Sequence, residues 1–344
     1  MDIGALKETL QEHFTDGLVV VVGSGLSAAE GIPGMGPLAD HLCEAISPCL
    51  GQDDLAVWEP IAEELKNGVN LEVELSKSSL PQSLEYIVVQ ATAECIRSAE
   101  TTVLEEVLDG NRTLRFSRLL KYLLKTNAGI PVVNTNYDRL IEVATEIAGL
   151  GIDSLFVGAH YGKLDVQGSQ HSLCRDVKKS GGIIRRIYAH HIVLLKPHGS
   201  LDWTLHNGEP IRCQSPPSKQ PLIITPGIDK FRGGYDQPYD VHRERANREI
   251  DKASRYLILG YGFNDDHLQT HLEAEVRRGK PAVLLTRSMT DNAMALTEEC
   301  PSLTAIFRSE GGDGTTVIAA GASHHFQGSK LWDLGAFIEE VFEP

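Results

Sequence analysis

The chain has 344 residues, of which 42% are hydrophobic and 23% charged, enough to bury a sizeable core without disulfide or metal staples. Forty-seven acidic against 32 basic side chains leave a net charge of −15. A surface of that sign disfavours polyanions and excludes direct nucleic-acid binding as the main role. The six cysteines at 43, 49, 95, 174, 213 and 300 show no CxxC spacing. They are expected to be reduced thiols, with no zinc ribbon and no metal cofactor. The N-terminus lacks a basic-then-apolar signal pattern, and no apolar run approaches the roughly 20 residues needed to span a bilayer. A cytoplasmic protein with no membrane association is expected.

In chain order, Ile3, Leu6, Leu10 and Phe14 recur at helical spacing and predict an amphipathic first helix. Near-continuous apolar runs predict strands covered on both faces: Leu18–Val22, Pro131–Val133, Ile192–Leu195, Leu222–Ile224, Tyr256–Leu259, Ala282–Leu285 and Val317–Ala320. Strands alternating with helical segments give an α/β class, a Rossmann-like, doubly wound and mostly parallel sheet. From 55 to 125 the strand signal disappears. A Thr102/Glu105 capping box and a stripe of Leu114, Leu119, Leu120, Leu123 and Leu124 suggest a helical insertion or cap within a single domain covering 1–344. Residues 151–190 are Gly-rich and mixed, suggesting a small β-rich excursion. The basic cluster Lys178, Lys179, Arg185 and Arg186 reads as a solvated loop or a partner contact. Residues 207–221 read as a loop. Lys330–Phe342 reads as a helix with Leu331, Leu334, Phe337, Ile338 and Val341 on one side.

Polar, Gly-rich segments follow four of the strands. Gly23-Ser24-Gly25-Leu26-Ser27-Ala28 fits G-x-G-x-x-A between strand and helix, where glycines permit close backbone approach to a pyrophosphate. The acid that such a dinucleotide fingerprint expects about 20 residues on is missing, because Asp40 sits in a helical stretch, LADHLCEAI. That argues against an ordinary dehydrogenase. Asn134-Thr135-Asn136-Tyr137-Asp138 ends the next strand and opens a helix over Arg139–Ala148. Lys196-Pro197-His198-Gly199-Ser200 and Gly260-Tyr261-Gly262-Phe263-Asn264-Asp265-Asp266 end two more. Carboxyl ends of strands form the ligand crevice of open α/β sheets, so one site built by several loops is the economical reading. Each motif also has a bland reading: a joining turn, a helix-capping acid at Asp138, a structural histidine at His198.

Taken in this order, the motifs resemble the sirtuin-like superfamily. Gly23–Ser27 with Gly31-Ile32-Pro33 is similar to its Gly-Ala-Gly-Ile-Ser…Gly-Ile-Pro signature. Asn136 and Asp138 match its Gln-Asn-Ile-Asp element with Thr135 in place of Gln, and His198-Gly199 match its His-Gly element. The resemblance implies NAD+ as substrate. It is expected to be held by Gly23, Ser24, Gly25, Ser27, Pro33, Thr135, Gly199, Gly260, Tyr261, Gly262, Phe263 and Thr286, with Thr286-Arg287 at the adenosine end. Asn136, His198 and Asp138 are the expected catalytic residues. Two departures stand out. Only Cys213 lies where protein-deacylating sirtuins carry a four-cysteine zinc module, and Gly34-Met35-Gly36-Pro37 replaces their Asp-Phe-Arg. The combination of motifs resembles the prokaryotic sirtuin-like NAD+ hydrolases of anti-phage defence. That implies a homo-oligomer restrained until activation and a separately encoded ATPase partner. A protein deacylase and a non-catalytic NAD+ or ADP-ribose sensor are the alternatives.

The chemistry suits the residue types. Nicotinamide leaves a cationic pyridinium as a neutral molecule, so no general acid is needed, and the site must steady an oxocarbenium-like centre and deliver water. An Asn amide can hold a ribose hydroxyl and the water without adding charge, a His can take the water's proton, and Asp138 could orient the nicotinamide amide or favour the cation. His267 and His271 lie four apart, a spacing able to chelate zinc, but no third ligand or general-base Glu accompanies them. Trp203 is a candidate pocket wall, and Trp332 a core residue of the last helix.

Overall fold

A computed structural model describes residues 2–77, 79–126, 128–214, 219–225, 236–264 and 266–343, with the backbone alone for 266–269. Helix α1 (Ile3–Glu12) leads into β1 (Leu18–Val22) and α2 (Ser24–Ala29). Helices α3 (Met35–Ala45), α4 (Gln52–Lys66), α5 (Leu71–Leu75), α6 (Gln82–Leu108) and α7 (Arg115–Leu119) follow, then β2 (Ile130–Asn134) and α8 (Leu140–Ile147). The middle of the chain is β-rich. It holds β3 (Gly151–Asp153), β4 (Phe156–Val157), β5 (Gly162–Leu164), α9 (Val166–Ser172), β6 (Cys174–Ser180) and β7 (Ile183–Tyr188). Then come β8 (His191–Leu195), β9 (Gly199–Ser200), β10 (Trp203–His206), β11 (Glu209–Arg212) and β12 (Leu222–Ile223). Alternation resumes with α10 (Tyr239–Lys252), β13 (Arg255–Leu259), α11 (Asp266–Arg277), β14 (Ala282–Thr286), α12 (Asp291–Glu299) and β15 (Leu303–Arg308). Strands β16 (Thr315–Ala319) and β17 (Ala322–Phe326) and helix α13 (Leu334–Phe342) close the chain.

Nine strands form the main sheet in the order β17-β16-β15-β14-β13-β1-β2-β8-β3, parallel except for β16 and β17 at one edge. This is the expected doubly wound, mostly parallel sheet. Chain order runs outward from β1 through β2 one way and through β13 the other, so the switch point lies between β1 and β13. Register sets the strand ends level. Val22 pairs with both Asn134 and Leu259, Leu195 with Val133, and Leu285 with Leu259. The four polar motifs therefore leave the sheet at one height.

Alternation along the buried strands divides the core. Val20, Val22, Val132, Leu194 and Leu257 face α7, α8 and α13, while Val19, Val21, Val133, Leu195 and Ile258 face α10 to α12. A third core of Leu42, Ile46, Trp58, Leu71, Leu84 and their neighbours belongs to helices α3 to α6. Trp58 there is fully buried, so these helices bury apolar surface of their own instead of merely coating the sheet.

Several local expectations change. Thr102 and Glu105 lie inside the 27-residue α6 and cap nothing, because the helix begins twenty residues earlier than the pattern implied. The 207–221 loop contains β11, paired antiparallel with β10; residues 215–218 are outside the described region. Leu222–Ile223 joins Gly199–Ser200 in a separate two-stranded pair and not the main sheet. Strand β15 (LTAIFR) carries no strand expectation from the sequence, because its alternating Thr, Ala and Arg break the apolar run. Trp332 precedes the last helix half-buried, with the Arg308 guanidinium 5.9 Å from its ring centroid.

Candidate active site

Gly23 and Gly25 leave β1 directly against the turn that leaves β13. A β-carbon on Gly25 would lie 2.7 Å from Gly260 Cα, and one on Gly23 would lie 2.5 Å from the Gly260 carbonyl oxygen. The amides of Gly23 and Gly25 donate to Leu259 and Gly260 carbonyls, each at 2.9 Å. What the glycines make room for is the neighbouring strand-end loop, and their close approach builds the floor of the crevice.

Above that floor lies a cleft of about 300 Å³. Of the residues expected to bind cofactor, Ser24, Gly25, Ser27, Pro33, Thr135, Gly260, Tyr261, Gly262 and Thr286 line it, together with Asn136, Asp138 and His198. Gly23, Gly199 and Phe263 are not among the lining residues. Gly23 offers its carbonyl to Asn136. Gly199, at φ +86°, lets β9 pass the Leu222 carbonyl, and Phe263 is a fully buried core side chain packed edge-to-face with Tyr261. Trp203 also turns away from the cleft and is buried between Phe156 and His242. Asp265 and the His267 side chain fall outside the described residues; His271 pairs with Asp251 at 2.9 Å. Among the described residues no cluster of His, Cys, Asp and Glu could hold a metal ion.

The geometry around Asn136 is closely determined. Its backbone N–H donates to the Asn134 side chain (3.0 Å), and its amide nitrogen donates to the Gly23 carbonyl (3.0 Å) and the Ser27 hydroxyl (2.7 Å). Ser27 in turn donates to Asp138 Oδ2 at 2.7 Å, while Asp138 Oδ1 accepts the Leu140 N–H at 3.1 Å. With both amide hydrogens engaged, the group left on the side chain of this cleft-lining residue is its carbonyl oxygen, an acceptor. Burial pushes the Asp138 carboxyl upward, against the pull of the Lys196 ammonium and the Ser27 hydroxyl.

Lys196 was not singled out by the sequence. It is 1% exposed, and its ammonium donates to the carbonyls of Asp138 (2.6 Å) and Tyr137 (3.3 Å) and to Ser200 Oγ (2.8 Å). It also pairs with Glu142 at 3.1 Å, so it ties the Asn136–Asp138 turn to the His198–Ser200 turn from beneath. The His198 carbonyl accepts from the Ile224 N–H at 2.9 Å, and Tyr137 Oη donates to the Ile224 carbonyl at 2.6 Å. Buried Glu100 on α6 holds Arg139 Nε at 3.0 Å, anchoring the other end of the turn to the helical region. Met35, Leu38, Asn70, Glu72 and Ile96 complete the wall from that region. Met35 and Leu38 follow Ser27 by 8 and 11 residues, whereas Asn70, Glu72 and Ile96 lie at least 40 residues from both Ser27 and Asn136, and sequence distance concealed these.

Residues 131–301 match the family model of the SIR2-like domain. This SIR2-like segment starts in β2 and ends before β15, so it contains Asn136, Asp138, Lys196, His198, Tyr261 and Thr286 but not the Gly23–Ser27 loop. No curated protein matches the chain. Among solved structures, the chain is similar to one described under the mechanism and regulation of Sir2 enzymes, at 13% identity, covering 98% of this chain and 97% of that one with a TM-score of 0.45. It is also similar to a mutant Sir2 homologue complexed with ADP-ribose (18% identity, 86% and 88% covered, TM-score 0.43) and to Sir2 bound to an acetylated peptide (14%, 85% and 89%, 0.38). No described helix is long and apolar enough to cross a membrane.

Proposed function

We propose that the chain binds NAD+ in the strand-end cleft and cleaves the bond between nicotinamide and ribose, passing the ribosyl group to water. The observation that carries this reading is the fixed polarity of Asn136 in a cleft that it shares with His198. A neutral carbonyl acceptor can hold a ribose hydroxyl beside a developing cation without introducing charge. No Lys or Arg lines the cleft among the described residues, so nothing there opposes an oxocarbenium-like centre.

In this reading the C1′–N bond breaks with its electron pair passing to the pyridine nitrogen, which becomes neutral. Water adds to C1′ and gives its proton to His198, yielding nicotinamide, ADP-ribose and a proton. Asp138 acts through Ser27 to hold the Asn136 amide and is a positioning residue, because its two oxygens face Ser27 and the Leu140 N–H. Removing the base costs about 10²–10⁴-fold in general-base catalysis.

Chromatography of NAD+ incubated with wild type, Asn136→Ala and His198→Ala tests the assignment, with calorimetric binding of ADP-ribose measured alongside. Wild type should release nicotinamide, and both variants should lose at least about 10²-fold while still folded. Near wild-type turnover by Asn136→Ala would overturn the site. A wild type that binds ADP-ribose but releases nothing even with its partner and trigger present is a sensor, and one that then does neither overturns NAD+ as ligand.

A second reading, NAD+-dependent protein deacylation, shares the first bond cleavage and differs in the acceptor, an acyl-lysine carbonyl oxygen instead of water. The bound peptides described for similar solved structures motivate including it. Nicotinamide release that requires an acetyl-lysine peptide, with transfer of the acetyl group to ADP-ribose, would select it over hydrolysis. From the motif combination we further propose that hydrolysis drains cellular NAD+ during phage infection. The effector would be a homo-oligomer under the control of a separately encoded ATPase. Unchanged NAD+ levels in infected cells expressing the chain with its partner would refute that role.

A further inference from the structure

Among the described residues, strands β6 and β7 pair only with each other, with Lys178 opposite Arg185, Lys179 opposite Ile184 and Ser180 opposite Ile183. Successive side chains of a strand point to opposite faces, yet Arg175 to Ser180 and Ile183 to Arg186 are all exposed. Neither face of the ribbon rests on the body of the chain. A lone two-stranded ribbon is marginal in water. This one also presents Val177, Ile183 and Ile184, each more than half exposed. Residues 174–188 carry five bases and one acid on a chain whose total charge is −15. Lys178 and Arg185 are like charges directly across the ladder, a pairing that costs free energy until an anion sits beside it.

The same chain holds the complementary surface. Residues 52–109 contain 13 acids and three bases. At the C-terminal end of α6, Glu105 and Asp109 are exposed beside Leu108, which is 85% exposed, and the last turn has no basic residue. Acids there add to the negative end of a 27-residue helix dipole. A nucleic acid or an anionic membrane approaching the ribbon would meet the field of an acidic body, whereas a second copy supplies acid and apolar surface together.

We propose that the β6–β7 ribbon is a docking arm that seats one face on the C-terminal end of α6 in a second copy of this chain, Ile183 covering Leu108 and the Lys178–Arg185 pair of the same face turned to Glu105 and Asp109. The proposal is independent of the chemistry assigned to the cleft. Light scattering of the full chain at micromolar concentration tests it, at about 50 mM and about 500 mM salt, since screening weakens exposed charge pairs. Wild type should associate at low salt and dissociate at high salt. Lys178→Glu/Arg185→Glu and Glu105→Lys/Asp109→Lys should each weaken association at least about tenfold, and the four changes together should restore it. These side chains are exposed, so circular dichroism should be unchanged. A monomeric wild type, reversal variants that associate like wild type, or a charge swap without rescue each overturn the proposal. So does binding of a short DNA duplex or of phosphatidylserine vesicles that is lost in Lys178→Glu/Arg185→Glu, which would assign the arm to a polyanion or a membrane.

Discussion

Replacing Lys196 by Met keeps the apolar stem and removes a cation held under the candidate site by four partners. Burial raises the carboxyls of Asp138 and Glu142, and Lys196 pulls both back toward their ordinary range. The variant strands the buried Asp138 carboxylate and the half-buried Glu142 carboxylate, and breaking a buried pair in this way costs about 3–5 kcal/mol. Unfolding entropy for a chain of this length is about 0.7 kcal/mol/K, so Tm should fall by about 4–7 °C. The sign with pH follows from linkage. Both folded-state pKa values lie above the unfolded ones and rise further in the variant, so these groups bind protons on folding. Their stability contribution is fully present below the unfolded carboxyl range and is lost as pH rises through the folded values. The deficit against wild type should therefore grow as pH rises above the ordinary carboxyl range, read by differential scanning calorimetry at matched ionic strength. A deficit that is independent of pH, or no deficit, refutes the ammonium's role.

Three further outcomes follow from named contacts. Glu100→Gln leaves the buried end of Arg139 without its carboxylate, so we expect a loss of about 3 kcal/mol and weaker ADP-ribose binding; thermal melts with calorimetry would expose an unaltered variant. Gly199→Ala places a β-carbon against the Leu222 carbonyl at φ +86° and should destabilise by more than about 1 kcal/mol. Denaturant melts in which Gly199→Ala matches wild type would discredit that backbone geometry. Burial lowers His13 to about 4 and His242 to about 3, below their unfolded value, so wild-type stability should decline as pH falls below about 6.5. Ring resonances of either histidine titrating between about pH 6 and 7 would contradict this.

Local pattern determined much of this protein. Runs such as LVVVV and HIVLL could only be strands buried on both faces, and the polar segments behind them marked the strand ends that hold the cleft. The places of Asn136, Asp138 and His198 at strand ends lining the cleft were legible because their spacing from those strands is short. Strand order and register were not legible, since they depend on pairings between segments more than a hundred residues apart. Those pairings decide that Gly23 and Gly25 pack on Gly260 instead of serving only as a phosphate turn. They decide that Phe263 and Trp203 fill cores, and that Ser27 bridges Asn136 to Asp138. Lys196 shows the limit most clearly. In sequence it is one lysine before a Pro-His-Gly turn, and only the fold encloses its charge among four oxygen acceptors, where its removal becomes costly.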